Sequence, residues 1–241
     1  MRLLRFARND NLCMTFNDLQ QTIGITFTNP DLLKAAFVHR SYLNEMRTVK
    51  ESNERLEFLG DAVLSFVTSN FLYRTYPDYE EGTLTNIRSS LVKTQSLADG
   101  ARVLKLGELL FLSRGEEDSG GRTNSSLLAD TFEALLGAIF LDQGIDRAKK
   151  FLEAHLFPKA VEIVKNKSFI DYKSLLQEII QSESRISPTY RVTKSEGPDH
   201  AKTFWVEARA DTKILGTGIG KSKQEAESAA AANALAAMAK I

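Results

Sequence analysis

Cysteine is almost missing from this sequence. Cys13 is the single instance in 241 residues, which excludes an intramolecular disulfide and any cysteine-rich zinc centre. Histidine is scarce too. His39, His155 and His200 stand far apart, so a histidine-based transition-metal site is not expected. A bound metal should instead take oxygen ligands, which suit Mg²⁺ or Mn²⁺. No apolar run reaches the ~18 residues of a membrane span. The opening MRLLRFARNDNLC is basic, yet it has no apolar core and no small-residue cleavage site, so the chain reads as cytoplasmic. An excess of one charge is also lacking: 31 basic residues face 31 acidic ones. Residues 165–241 carry 12 Lys/Arg and 9 Asp/Glu, while residues 1–164 carry 19 and 22. Overall charge therefore marks no polyanion binder, and such affinity would have to come from local placement.

What the sequence does have is apolar periodicity. Leu32, Leu33, Ala36 and Phe37 recur at helical spacing, as do Phe132, Leu135, Leu136 and Ile139, and residues 15–164 read as one helical domain. Asn29-Pro30-Asp31 is a helix start, with Asn29 as cap and Pro30 in the first turn. Residues 1–14 precede the pattern and are expected to be a disordered extension. A polar stretch at 164–169 (VKNKSF) reads as a linker. Residues 170–240 then show a helix over Asp171–Ser182 and strands over Thr189–Lys194, Thr203–Ala210 and Lys213–Gly220. An alanine-rich helix over Ser222–Ala239 closes the chain. The expected fold class is mainly α, a helical domain followed by a small α-β-β-β-α domain whose helices cover one face of an antiparallel sheet.

Two segments carry acids where stability alone would not place them. In Asn53–Leu64 (NERLEFLGDAVL), Glu54, Glu57 and Asp61 fall three and four apart on one helical face, among large apolar residues. Asp130 and Glu133 repeat the arrangement in LLADTFEALLGA. Like charges at this spacing repel, and more so in low dielectric. Packed antiparallel, the two helices could gather four carboxylates whose repulsion a cation would relieve. Glu81, at another helix start, could add a fifth. The alternative is that these acids are solvated faces of amphipathic helices.

NERLEFLGDAVL resembles the signature helix of ribonuclease III. LLKAAFVHRSY (32–42), YEEGTLTNIRSSLV (79–92) and LADTFEALLGAIFLDQ (128–143) resemble further segments in family order, and residues 171–238 resemble a double-stranded-RNA-binding domain. The resemblance implies a Mg²⁺-dependent endonuclease, with Mn²⁺ as a possible substitute. It would hydrolyse double-stranded RNA to 5′-phosphate and 3′-hydroxyl ends and process ribosomal and other structured RNA precursors. It implies Glu57, Asp130 and Glu133 as metal ligands, Asp61 and Glu133 as catalytic, and Glu54 and Glu81 as supporting acids. It also implies a homodimer. Phe58, which could be plain core, would then pack across the two-fold axis.

In the second domain, Ser174, Gln177 and Gln181 share one helix face and could meet 2′-hydroxyls, by which duplex RNA is read. His200, in the loop Gly197–His200, would reach an adjacent minor groove. Lys221 and Lys223 open the last helix, where cationic side chains and backbone N–H groups suit phosphates. Gln224 and Glu227 stand where the family often has lysine, so phosphate affinity is expected to be modest. Gly216-Thr-Gly218-Ile-Gly220-Lys221-Ser222 superficially resembles a phosphate-binding loop, but Leu215 stands where that motif needs glycine, and ATP is not expected as a ligand. Two other functions compete: a protein that binds structured RNA without cutting it, and a helical phosphohydrolase for small nucleotides.

Overall fold

The computed structural model describes residues 14–46, 48–198 and 201–238. The expected N-terminal extension, apart from Met14, lies outside them, as does His200. The chain forms two compact units that divide between Phe169 and Ile170. The first is helical: α1 (Phe16–Ile23), α2 (Pro30–Ala35), α3 (Glu54–Thr75), α4 (Glu81–Val92), α5 (Thr94–Val103), α6 (Arg114–Asp118), α7 (Ser125–Gln143), α8 (Ile145–His155) and α9 (Pro158–Lys165). The second contains α10 (Tyr172–Ser184), β1 (Thr189–Glu196), β2 (Thr203–Ala210), β3 (Lys213–Gly220) and α11 (Lys223–Met238). The mainly α class and the α-β-β-β-α order hold. Helix α9 runs two residues into the stretch read as a linker.

Local chemistry sets the helix starts. Thr15 accepts from the Asp18 N–H while the Asp18 carboxylate accepts from Thr15, a reciprocal cap on α1. Asn29 Oδ1 accepts from the N–H groups of Asp31 and Leu32 at 3.1 and 3.3 Å, with Pro30 in the first turn. Helix α7 lies at the centre of the first unit. Phe132, Leu135, Leu136 and Ile139 are all fully buried, so here the apolar period in the sequence is the core itself. The irregular chain before α7 is tied by Arg122. Its Nη1 donates to the carbonyls of Gly107, Glu108 and Leu110, and its Nε donates to Glu117.

In the second unit the sheet order is β1-β2-β3, antiparallel throughout. Val206 and Ala208 point from β2 into the core, while Trp205, Glu207 and Arg209 alternate onto the other face. Gly216, Gly218 and Gly220 lie against α11. A Cβ on Gly218 would sit 2.2 Å from the Ala230 nitrogen and 2.3 Å from the Ala226 carbonyl oxygen. Buried Ala226, Ala230 and Ala234 face this strip from α11. The glycine-rich run is thus a helix seat, which explains its spacing without any phosphate. Gly218→Ala is expected to destabilise this unit by about 2–3 kcal/mol through overpacking against backbone. Urea unfolding of the full chain and duplex binding would both report it; unchanged values would contradict the close contact.

Candidate active site

Helices α3 and α7 cross with their backbones in contact. A Cβ on Gly60 would lie 1.8 Å from the Glu133 carbonyl oxygen, and one on Gly137 would lie 2.3 Å from the Leu56 carbonyl oxygen. Gly60 opposes Glu133 and Gly137 opposes Leu56, so the helices run antiparallel. The sequence suggested that pairing but did not flag the two glycines that permit it. Each sits alone in a long apolar helical run, which is the signal that could have found them. The crossing places the acids of α3 beside those of α7.

Electrostatics show the result. Burial pushes the Glu57 carboxyl above the usual range, and Asp130, Glu54 and Asp61 add to the rise. Asp130 is raised by burial, with His39 pulling the other way. Glu133 is pushed up to about 8, first by burial and then by Asp61, Glu57 and Asp130. Among the described residues, no hydrogen bond or ion pair engages the carboxylates of Glu57, Asp61, Asp130 or Glu133. Such a cluster fits a hard divalent cation, which would offset both burial and repulsion. As they stand, no three acidic, histidine or cysteine side chains among the described residues converge closely enough to enclose one. The donor set is still the kind such a cation takes, carboxylate oxygens on two adjacent helices with no other partner among the described residues.

Glu133 makes the stability of the fold depend on pH. Its folded value lies near 8, above the ordinary 4.5, so folding favours the protonated acid. Its contribution is fully present below about pH 4.5 and is lost as pH rises through about 8. In EDTA, the melting temperature should therefore fall between about pH 5 and pH 9, less so in Glu133→Gln. Mg²⁺ should restore stability at the alkaline end, where its ligands are deprotonated. Thermal unfolding at both pH values, with and without metal, measures this; parallel profiles for wild type and variant would refute it.

The other first-unit residues divide. Glu54 is exposed, accepts from Ser52 Oγ at 2.6 Å and lies 3.9 Å from Arg40. Glu81 is not among the groups acting on the cluster. It heads α4, accepts from Thr85 Oγ1 at 3.0 Å, and lines a cavity of about 570 Å³ with Tyr76, Tyr79 and Arg88. Phe58 is not core in the single chain: it is 81% exposed, and Phe66 and Tyr73 on the same helix are 63% and 74% exposed. Sequence reasoning missed Asn53. It is buried and heads α3, where its N–H donates to the Val38 carbonyl at 2.8 Å and its Nδ2 to the Ala36 carbonyl at 3.2 Å.

In the second unit, Gln177 and Gln181 are exposed on α10, and Gln181 Nε2 donates to Ser187 Oγ at 2.9 Å. The Ser174 hydroxyl donates to Asp171 at 2.6 Å. Lys221 and Lys223 are exposed. The Lys221 N–H donates to the Glu225 carboxylate, and the Glu225 N–H donates to Ser222 Oγ. These N–H groups at the start of α11 are therefore already satisfied and are not open to a phosphate. Glu227 accepts from Lys173, whose ammonium lies 4.7 Å from the centre of the Tyr190 ring. It ties α10 to α11 rather than merely replacing a phosphate-binding lysine.

Comparison with known proteins bears on the whole chain. Residues 29–160 match the family model described as ribonuclease-III-like, and residues 172–238 match that of the double-stranded RNA binding motif. A ribonuclease 3 of Lactococcus lactis subsp. cremoris is 47% identical over 221 residues, covering 90% of this chain and 94% of the relative. The ribonuclease 3 of Borreliella burgdorferi is 46% identical over 222 residues, covering 92% and 90%. Among solved structures, a nuclease domain of ribonuclease III from Campylobacter jejuni is 37% identical with a TM-score of 0.54, covering 58% of this chain and 94% of that one. That structure concerns a region involved in dimer formation.

Proposed function

This chain belongs to the ribonuclease III family and is a double-stranded-RNA endonuclease, and we propose that Glu57, Asp61, Asp130 and Glu133 form its metal-dependent hydrolytic centre. The observation that carries the assignment is the backbone contact of α3 and α7 at Gly60 and Gly137, which sets Glu57 and Asp61 beside Asp130 and the partly buried Glu133. Glu57, Asp130 and Glu133 would hold Mg²⁺, or Mn²⁺ in its place. Asp61 and Glu133 are the catalytic carboxylates. Such an ion would supply charge neutralisation at the scissile phosphate and a lowered pKa for the attacking water. The chain's own part is to keep four acids on two rigid helices, so that ligand geometry is set by the fold. Glu54 supports the cluster through Glu57; Glu81 is a supporting acid of the RNA-facing surface.

Water attack gives 5′-phosphate and 3′-hydroxyl ends, and the substrates are ribosomal and other structured RNA precursors in the cytoplasm. None of the described helices is long and apolar enough to cross a membrane. The exposed Phe58 supports a homodimer in which this side chain is covered by the partner, so that two centres face one duplex. The second unit binds duplex RNA through Ser174, Gln177 and Gln181 on α10, with Lys221 and Lys223 on phosphates. Incubating the chain with a long RNA duplex, with and without Mg²⁺, tests the reading. Metal-dependent fragments with 5′-phosphates are expected, and intact duplex in Mg²⁺ at low salt would sink it.

A further inference from the structure

His39 is held on several sides. Its N–H donates to the Phe111 carbonyl at 3.1 Å, and the Phe111 N–H donates to the Phe37 carbonyl at 2.9 Å, around an isolated parallel bridge between Val38 and Phe111. Next to it, the Val38 carbonyl accepts from Asn53 at the head of α3. The segment carrying His39 is thereby fastened to the helix that bears Glu57 and Asp61.

The ring is fixed as well. Ser41 N–H donates to His39 Nδ1 at 3.3 Å, and Ser41 Oγ lies 2.9 Å from the same nitrogen. The Ser113 N–H donates to Ser41 Oγ at 3.0 Å. A backbone N–H can only donate, so Nδ1 is an acceptor and the neutral ring carries its proton on Nε2. Among the described residues Nε2 has no hydrogen-bond partner. The ring lines a polar cavity of about 530 Å³ together with Asn124, Ser126 and Leu127. Ser126 and Leu127 lie one turn before Asp130 on α7, so His39 faces the turns that lead to that carboxylate. Among the described residues the Asp130 carboxylate has no hydrogen-bond donor, and it lies near enough to His39 for a protonated ring to offset part of the rise that burial imposes. The neighbouring Arg40 is 74% exposed and turns to Glu54 instead.

We propose that His39 is a positioning residue: with the cation bound, its Nε2–H donates to the Asp130 carboxylate and holds it oriented toward the ion. This rests on the reading of Asp130 as a metal ligand. Carboxylates that ligate metals are themselves commonly hydrogen-bonded by a neighbouring donor, and losing such a partner typically weakens metal affinity by about 10–100-fold. Ser113 and Ser41 set the ring, and the ring sets Asp130.

The test is Mn²⁺ affinity of the full chain by calorimetry, for wild type, Asp130→Asn, His39→Ala, His39→Gln and His39→Asn. A glutamine amide can place its N–H where Nε2–H was, whereas asparagine is too short. Both lose the ring that Ser41 holds. His39→Ala and His39→Asn should bind Mn²⁺ about 10–100-fold more weakly, with His39→Gln recovering most of the loss. A purely structural role predicts that glutamine is as damaging as alanine, and that result overturns the proposal. So does Mn²⁺ affinity unchanged in His39→Ala, including the case where duplex binding falls and the cavity proves to hold RNA. Wild-type binding that Asp130→Asn does not weaken would sink the ligand reading itself, and this proposal with it.

Discussion

Glu133→Ala should abolish cleavage while leaving duplex binding nearly unchanged. Glu133 serves the proposed centre twice, as ligand and as catalytic carboxylate, and its carboxyl is pushed up to about 8, first by burial and then by the neighbouring acids. Metal stabilisation of a reacting phosphate supplies several kcal/mol, so its loss costs on the order of 10³-fold or more in rate. Binding should survive because the duplex is held largely by the second unit, through phosphate and 2′-hydroxyl contacts that do not involve α7. Removing one of four repelling acids also relieves strain, so the variant should melt no lower than wild type at alkaline pH without metal. Single-turnover cleavage and gel-shift titration of the same preparation separate these effects. Parallel loss of cleavage and binding would mean that Glu133 supports the fold or the RNA surface instead.

Gly60→Ala should be as damaging from the opposite direction. The added methyl would stand 1.8 Å from one backbone atom and 2.5 Å from another, both belonging to Glu133. No flexible side chain can yield, so α3 and α7 must separate. Overpacking of this kind costs about 3 kcal/mol or more. Separation also moves Glu57 and Asp61 away from Asp130 and Glu133, and a displacement near 1 Å costs about 10²-fold in catalysis. The control is Gly82→Ala in α4, where a Cβ meets nothing within 4 Å. That change should be neutral or stabilising by up to about 1 kcal/mol from helix propensity. Urea melts and cleavage rates of the two variants test the contrast; a Gly60→Ala protein with wild-type stability would refute the contact.

Much of this architecture is written locally. Asn29-Pro30 marks a helix start because capping involves neighbouring residues only. The core face of α7 is visible because burial imposes a helical period. The acids show for the same reason, since three- and four-residue spacing puts them on one face whatever lies opposite. What lies opposite is not written locally. That α3 meets α7 backbone to backbone depends on two glycines 77 positions apart. The hold on His39 comes from Phe111 and Ser113, and the Arg122 tie involves carbonyls of an irregular segment without a period. Glu227 looked like a missing cation because its partner, Lys173, lies on another helix. Composition leaves Phe58 open between core and dimer contact, and the packed chain shows it uncovered.

The seat of α11 on Gly216, Gly218 and Gly220 has an evolutionary corollary. Glycine is the smallest residue, so every missense change in a glycine codon adds a side chain. At these three positions each such change would meet backbone of α11 at 2.6 Å or less. No conservative step exists there, and no gradual path leads away from the sequence. The strip should therefore resist drift as firmly as the acids do, although it takes no part in chemistry. In a mutational scan selecting for activity, its three codons should be as intolerant as those of Asp130 and Glu133, while the alternating Thr217 and Ile219, on the opposite face and open to solvent, accept substitution freely.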